Sequence, residues 1–195
     1  MKTLKRDASG IHEFSVEGSN RERRIVYLVG EVNTEMAQRI TEQITYFTYE
    51  DPNEPIKMFI NSNGGSISAG LLIYDIIQGS QVPIEIYCLE KAYSMAALIF
   101  CCGKNGRYIL PHSKVMIHDP RLSEGVGGNA SSIKELSEEI IKLKKNMDRL
   151  ISKHTKQPLT KIEKVTKTDS FFSAEEAVKF GLADGVKSFS EMLSA

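Results

Sequence analysis

Two short segments carry residue types that can do chemistry together. Asn61-Ser62-Asn63-Gly64-Gly65-Ser66 and Ala92-Tyr93-Ser94-Met95-Ala96-Ala97 each follow an apolar, strand-like run, and each opens an apolar, helix-like run. A serine hydroxyl is a poor nucleophile at neutral pH. It needs a base within hydrogen-bond reach and donors aimed at the charge that develops on the attacked carbonyl oxygen. Ser94, at a helix start, meets exposed amides and the positive end of the helix dipole. The amide of Met95 is free to act as one donor. Gly64 and Gly65 lack a Cβ, so their backbone can approach a substrate closely. The segments read as two halves of a serine-hydrolase site, with Ser94 the nucleophile. Simpler roles compete. A serine at a helix start usually caps it, and a glycine pair usually makes a turn. A phosphate loop is disfavoured because no Gly-Lys-Ser/Thr follows.

The base must come from four histidines, His12, His112, His118 and His154. His118 ends the alternating run Lys114-Val115-Met116-Ile117, which reads as a strand stopped by Pro120. A histidine at a strand end beside a turn is well placed for proton transfer. Its neighbour Asp119 is a poor orienting acid, because adjacent strand side chains point to opposite faces. Asp75, Asp148, Asp169 and Asp184 remain as alternatives, and local reasoning does not choose among them.

These residues need a frame to hold them. Arg24 to Val29 reads as a strand ending near Gly30. Asn33 can cap a helix whose inner face carries Met36, Ile40, Ile44 and Phe47. Asp51 to Pro55 is a loop. Strand, glycine loop and helix follow from Ile56 to Ile77, and Ile84 to Leu89 is a further strand leading into Ser94. Alternating strands and helices predict an α/β layer fold with parallel strands. Residues 1–23 are polar without a clear period and read as a mobile or partner-dependent arm, and residues 24–195 read as one domain. Further on, Gly125-Val126-Gly127-Gly128 forms a flexible hinge, and Ser132 with Glu135 can form a capping box. Ile133, Leu136, Ile140, Leu143, Met147 and Leu150 then recur at alternating spacings of three and four, the seam of a long helix seeking a partner helix.

With 195 residues the chain suits one domain with a real core. Its 25 basic and 25 acidic residues cancel, which argues against a dedicated nucleic-acid binder. The basic stretch from Lys142 to Lys167 reads as a solvated helix face. Of three cysteines, Cys101 and Cys102 are vicinal and Cys88 also lies in apolar company. They read as reduced, buried thiols of a cytoplasmic protein. Met1 to Asp7 has no apolar signal core, and Met95 to Cys102 is too short to span a bilayer.

Order and spacing over Arg24 to Val186 resemble one family, the proteolytic subunit of the ATP-dependent Clp protease, ClpP. The resemblance rests on Phe59-Ile60-Asn61-Ser62 with Gly64-Gly65, Ala69-Gly70, Ile73-Tyr74-Asp75 and Ser94-Met95. It continues through Leu110-Pro111, Val115-Met116-Ile117-His118 with Pro120, His154-Thr155 and Gln157-Pro158-Leu159. Asp169, Ser173-Ala174-Glu175-Glu176-Ala177 and Gly181-Leu182 complete it. The resemblance implies a ClpP/crotonase-like fold, parallel-sheet βα layers with a protruding helical handle at about residues 124–155. It places the nucleophile on Ser94, the general base on His118, the orienting acid on Asp169 and the oxyanion donors on the amides of Gly65 and Met95. It further implies an unfolded-protein or peptide substrate, heptameric rings stacked into a hollow tetradecamer, and an AAA+ unfoldase partner that uses the ATP. The chain itself would need no cofactor or metal, and no nucleic acid or membrane is involved.

Several positions depart from the family pattern. Asn63 stands for a usual proline, Glu90 and Ala96 for glycines, and Tyr93 for a small residue. Thr168 replaces an arginine beside the catalytic acid, and Lys57 and Gly79 replace aromatics of the unfoldase docking surface, although Phe59 remains. The axial loop between Gly10 and Arg24 is short. These departures suggest a divergent paralogue, so the alternative is a weakly active or regulatory subunit that co-assembles with a standard ClpP. A crotonase-type acyl-CoA enzyme shares the paired amides but not the Ser-His-Asp set.

Overall fold

In the computed structural model, which describes residues 2–7, 10–121 and 128–194, the apolar runs become neighbouring strands. The chain opens with β1 (Lys2–Asp7), β2 (Gly10–Ser15), α1 (Val16–Glu22) and β3 (Ile25–Val32). Next come α2 (Thr34–Glu50), β4 (Ile56–Gly65), α3 (Ile67–Gly79), β5 (Ile84–Tyr93) and α4 (Met95–Cys101). After β6 (Arg107–Ile109) and β7 (Lys114–Ile117) comes the long α5 (Ala130–Thr155), then α6 (Leu159–Val165) and β8 (Ser170–Phe172). The chain closes with α7 (Ala174–Phe180), β9 (Gly185–Val186) and α8 (Phe189–Ser194).

Strands β3, β4, β5, β6 and β9 lie side by side in that order and pair in parallel. β5 serves two neighbours. Its first half pairs with β6 through Ile86–Cys88, and its second half pairs with β7 through Lys91–Tyr93. β8 then adds to β7 antiparallel. The fork in β5 carries the chain out of the main layer immediately before Ser94.

Alternation decides what each face meets. Val26, Leu28, Met58, Ile60, Ile86 and Cys88 point to one side and are buried under α2, α3 and α4. The face of α2 that meets them carries Met36, Ile40, Ile44 and Phe47, as the period predicts, and Asn33 accepts the Met36 N–H at 2.9 Å as N-cap. On the other side Tyr27, Phe59, Tyr87 and Tyr108 share one register row and stack in turn, with ring centroids 5.6, 5.3 and 5.5 Å apart. Each such contact adds about 1 kcal/mol beyond area burial. Met192 of α8 packs on this row. Lys57, where the family pattern has an aromatic, reaches the Met192 and Leu193 carbonyls at 3.4 and 3.3 Å.

Three local expectations are corrected. β3 does not end near Gly30; it continues to Val32 through a bulge, where Gly30 takes φ +97° and its carbonyl accepts the Ser62 hydroxyl. Asn61 to Gly65 is not a loop but the end of β4, because pairing with β3 overrides the poor strand propensity of Asn, Ser and Gly. The helix after the glycines is capped by Asn129, not by Ser132 with Glu135: Asn129 Oδ1 accepts the Ser132 N–H at 3.0 Å and leaves Ser132 inside the first turn. The N-terminal arm itself carries regular structure. β1 and β2 form a hairpin and α1 follows, capped by Ser15. Of the expected hinge, Gly125 to Gly127 lie outside the described residues.

α5 is amphipathic along 26 residues but unevenly buried. Met147 and Ile151 pack in the core, whereas residues 131–139 are exposed throughout, including Ile133 and Leu136 of the apolar seam. Its N-terminal half therefore projects with an unmatched stripe.

Arg24 fixes the other end of the domain. It is 1% exposed, takes φ +53°, and its guanidinium donates to the Phe47 and Asp51 carbonyls at 2.9 and 2.8 Å. It thereby satisfies the Asp51 carbonyl, adds a second donor to the Phe47 carbonyl, which also accepts the Asp51 N–H, and complements the helix dipole there. Replacing Arg24 by methionine keeps the bulk but removes the donor to the Asp51 carbonyl and the second donor to Phe47. Urea unfolding should show a loss of about 2 kcal/mol, and an unchanged midpoint would contradict the assigned role.

Candidate active site

Ser94 sits between β5 and α4 with φ +55° and ψ −123°, a conformation that residues with a side chain rarely adopt. It is the N-cap residue of α4, yet its hydroxyl makes no capping bond. Instead Oγ lies 2.8 Å from His118 Nε2. The ordinary role for a serine at this position is thus given up for a contact with a base. The turn is held from outside by Ser94 N–H donating to the Met116 carbonyl at 2.8 Å.

The glycines explain how the turn is accommodated. A Cβ on Gly64 would lie 2.8 Å from Ser94 Cβ and 2.7 Å from the Tyr93 carbonyl, so the end of β4 presses directly on the Ser94 corner. A Cβ on Gly65 would strike the Val32 carbonyl at 2.3 Å. Both glycines have positive φ. Their missing side chains make room for the protein's own backbone, a tighter demand than the substrate approach predicted above. Gly64 N–H is taken by Ser62 Oγ at 3.0 Å. Met95 N–H is the first of α4 and so has no helical acceptor.

Register brings the third residue in. β7 and β8 pair Val115 with Phe172, Met116 with Phe171 and Ile117 with Ser170. One step further, His118 faces Asp169. Of the four alternatives, the ladder therefore selects Asp169. His118 Nδ1 lies 3.4 Å from Asp169 Oδ1, but it is buried and makes no hydrogen bond. Asp169 Oδ1 is taken by Arg121, a residue the sequence reading did not single out. Burial lowers the His118 pKa below the usual 6.5. The Arg121 charge lowers it further, opposed by Asp169 and Asp119.

Asp119 does not orient His118, as its strand position predicts. Its carboxylate accepts from Lys144 Nζ at 2.6 Å, and Lys144 also donates to Asp148 at 2.8 Å. Asp148 accepts the Thr166 hydroxyl at 3.1 Å, and Asp119 N–H donates to the Thr166 carbonyl at 2.7 Å. This network ties α5 to the segment bearing His118 and to the segment that leads into Asp169.

Among the other residues singled out, Asp75 and Asp184 lie apart from this cluster. Asp184 pairs with Arg107, and His154 contacts the Tyr74 hydroxyl at 2.9 Å. Tyr93 turns its ring edge-on against Phe171, centroids 5.5 Å apart. The three cysteines are buried and unpaired, and burial pushes the Cys88 and Cys101 thiols up to about 12, which leaves them poor nucleophiles.

A recess of about 30 Å³ adjoins Ser94 and His118 and is walled by Ile67, Met95, Leu98, Met147 and Ile151. A larger cleft of about 740 Å³, beside Arg21, Arg39, Glu42 and Tyr46, contains no member of the Ser94-His118-Asp169 set. The polar groups converge on the smaller recess, not on the larger cleft.

Asp148 is the buried carboxylate of the network, and its loss takes one of two acceptors from Lys144 and leaves the Thr166 hydroxyl only the Ile162 carbonyl at 3.0 Å. Asp148→Ala should cost about 2 kcal/mol in chemical unfolding. Asp148→Asn, which keeps an acceptor for Thr166, should cost less. Equal losses for the two would contradict this account.

Over residues 11–189 the sequence matches the family described as Clp protease. No helix among the described residues is long and apolar enough to cross a membrane. The matched region spans the sheet, the Ser94 corner, His118, Asp169 and the long helix, which places the mixed α/β architecture in the ClpP/crotonase-like class. The chain belongs to the Clp protease family, the ClpP-type serine proteases.

Proposed function

We propose that this chain is a serine endopeptidase that hydrolyses peptides and unfolded proteins through an acyl-enzyme. The observation that carries the reading is the 2.8 Å contact between Ser94 Oγ and His118 Nε2 at a strained corner where the hydroxyl caps nothing. Ser94 attacks the scissile carbonyl while His118 Nε2 takes its proton. The amides of Gly65 and Met95 stabilise the oxyanion. His118 passes the proton to the leaving amine, and water then repeats the sequence to release the acid. Asp169 orients the imidazole and stabilises its charged form. The recess beside Ser94 is walled mainly by apolar side chains. No cofactor enters these steps.

The domain division at residue 23, the proteolytic chamber and its partners belong to the same proposal. The exposed stripe at Ile133 and Leu136 supports α5 as a handle between rings, and an enclosed site confines hydrolysis to short or unfolded chains. An ATP-using AAA+ unfoldase would dock near the Tyr27-Phe59-Tyr87-Tyr108 row, where Lys57 now binds the end of α8. Buried reduced thiols suit the cytoplasm. A second reading, a weakly active subunit co-assembling with a standard paralogue, is favoured by one observation: Asp169 is bonded to Arg121 rather than to His118.

Labelling with a serine-reactive fluorophosphonate tests the nucleophile. Wild type should label at Ser94, and Ser94→Ala should not. Equal labelling of the two would end the peptidase reading. A neutral His118 is required as base, so kcat/KM should fall as the pH drops through its pKa. Because burial and Arg121 depress that pKa, the fall should come below pH 6.5. A profile flat from pH 5 to 8, or one that rises on acidification, would exclude His118.

A further inference from the structure

Asp169 has one oxygen within reach of two cations or potential cations. Oδ1 is 3.4 Å from His118 Nδ1, and the same oxygen accepts the Arg121 Nη2 donor. Only the arginine makes the bond, and the buried Nδ1 is left without a partner among the described residues. A buried ring nitrogen without a partner is costly, so the unpaired Nδ1 is a tension in the site. Arg121 lies three residues beyond His118 and is itself well exposed.

We propose that Arg121 is a positioning residue that restrains the reaction: it holds Asp169 Oδ1 off the His118 Nδ1–H, so the acid orients the base only when the guanidinium lets go. The proposal rests on the peptidase reading of Ser94 and His118.

Two physical effects act in the same direction. Without the Nδ1–H···Oδ1 bond, the imidazole is not fixed in the tautomer that frees Nε2 to accept the Ser94 proton. A guanidinium beside Asp169 also offsets the negative charge that should stabilise imidazolium in the transition state. The other charged groups here do not compensate. Asp119, from the same loop as His118, is committed to Lys144 of α5, and Lys144 shares itself with the buried Asp148. Arg121 and Asp169 are thus the pair free to rearrange. Their bond is exposed on the arginine side, so breaking it costs little stability. Thr168, beside Asp169, is uncharged and offers no cation to draw the acid elsewhere.

The test compares wild type with Arg121→Ala, Arg121→Lys and Ser94→Ala, each first checked for unchanged assembly by native mass spectrometry. A fluorogenic apolar peptide gives kcat/KM from pH 5 to 8.5, and a fluorophosphonate gives the labelling rate. Losing an orienting aspartate altogether costs up to ~10⁴-fold, so partial diversion of Asp169 predicts a rise of about 10-fold in Arg121→Ala. Its acid limb should also move to higher pH, because removing a cation and restoring the Asp169 bond both favour protonated His118. Arg121→Lys, which keeps the charge, should stay near wild type. A purely structural surface arginine would leave the acid limb where it is. If Arg121→Ala is as slow as wild type or slower, with an unmoved acid limb, the restraint is overturned while the peptidase reading stands. If no variant labels above Ser94→Ala, the peptidase reading falls and the restraint falls with it.

Discussion

The contact between the end of β4 and the Ser94 corner is the constraint on which the rest of the site depends. Ser94 holds a positive φ without glycine's freedom, and the strain persists only because its surroundings leave no alternative. Those surroundings are specific. Gly64 closes on Ser94 Cβ from one side, and the Met116 carbonyl takes the Ser94 N–H from the other. Relaxing the corner would turn the hydroxyl away from His118 and point it at the first turn of α4, where an ordinary capping serine belongs. The Ser94–His118 geometry is therefore a property of three strands, not of the serine alone.

The sheet also explains how residues 24 and 75 positions apart in sequence meet. Parallel pairing of β5 with β7 sets Tyr93 beside Met116, and antiparallel pairing of β7 with β8 sets Met116 beside Phe171. Each strand end then delivers one of Ser94, His118 and Asp169. Because side chains alternate, a slip of one residue in either ladder would send the wrong face of the strand into the site. The Asp119-Lys144-Asp148-Thr166 network adds a second hold on the segments that carry His118 and Asp169, from the base of the projecting helix.

Much of this was legible in the residues, and the exceptions share a cause. The inner face of α2, the cap at Asn33 and the helix start after Ser94 follow from spacing within one segment. His118 was legible as a strand-end histidine, but its partner was not, because choosing Asp169 over Asp75, Asp148 or Asp184 requires knowing which strands pair. Resemblance to the Clp protease family supplied that choice, and the β7–β8 register supplies its physical reason. The continuation of β3 past Gly30 and of β4 through Gly65 was hidden for a similar reason: local propensity argues against strand there, and only the neighbouring strand overrides it. Arg121 gave no signal at all. An exposed arginine after a proline looks like a solvated turn until its reach to Asp169, 48 positions away, is seen.

The central claim is that the Ser94 corner is a nucleophile facing a ready-made anion site. The most direct measurement is the crystal structure of the protein after phosphonate inactivation. The account predicts phosphorus bonded to Ser94 Oγ, with one phosphoryl oxygen about 2.7–3.1 Å from the amides of both Gly65 and Met95. Phosphorus on another residue, or a phosphoryl oxygen turned to solvent with those amides bonded elsewhere, would contradict it.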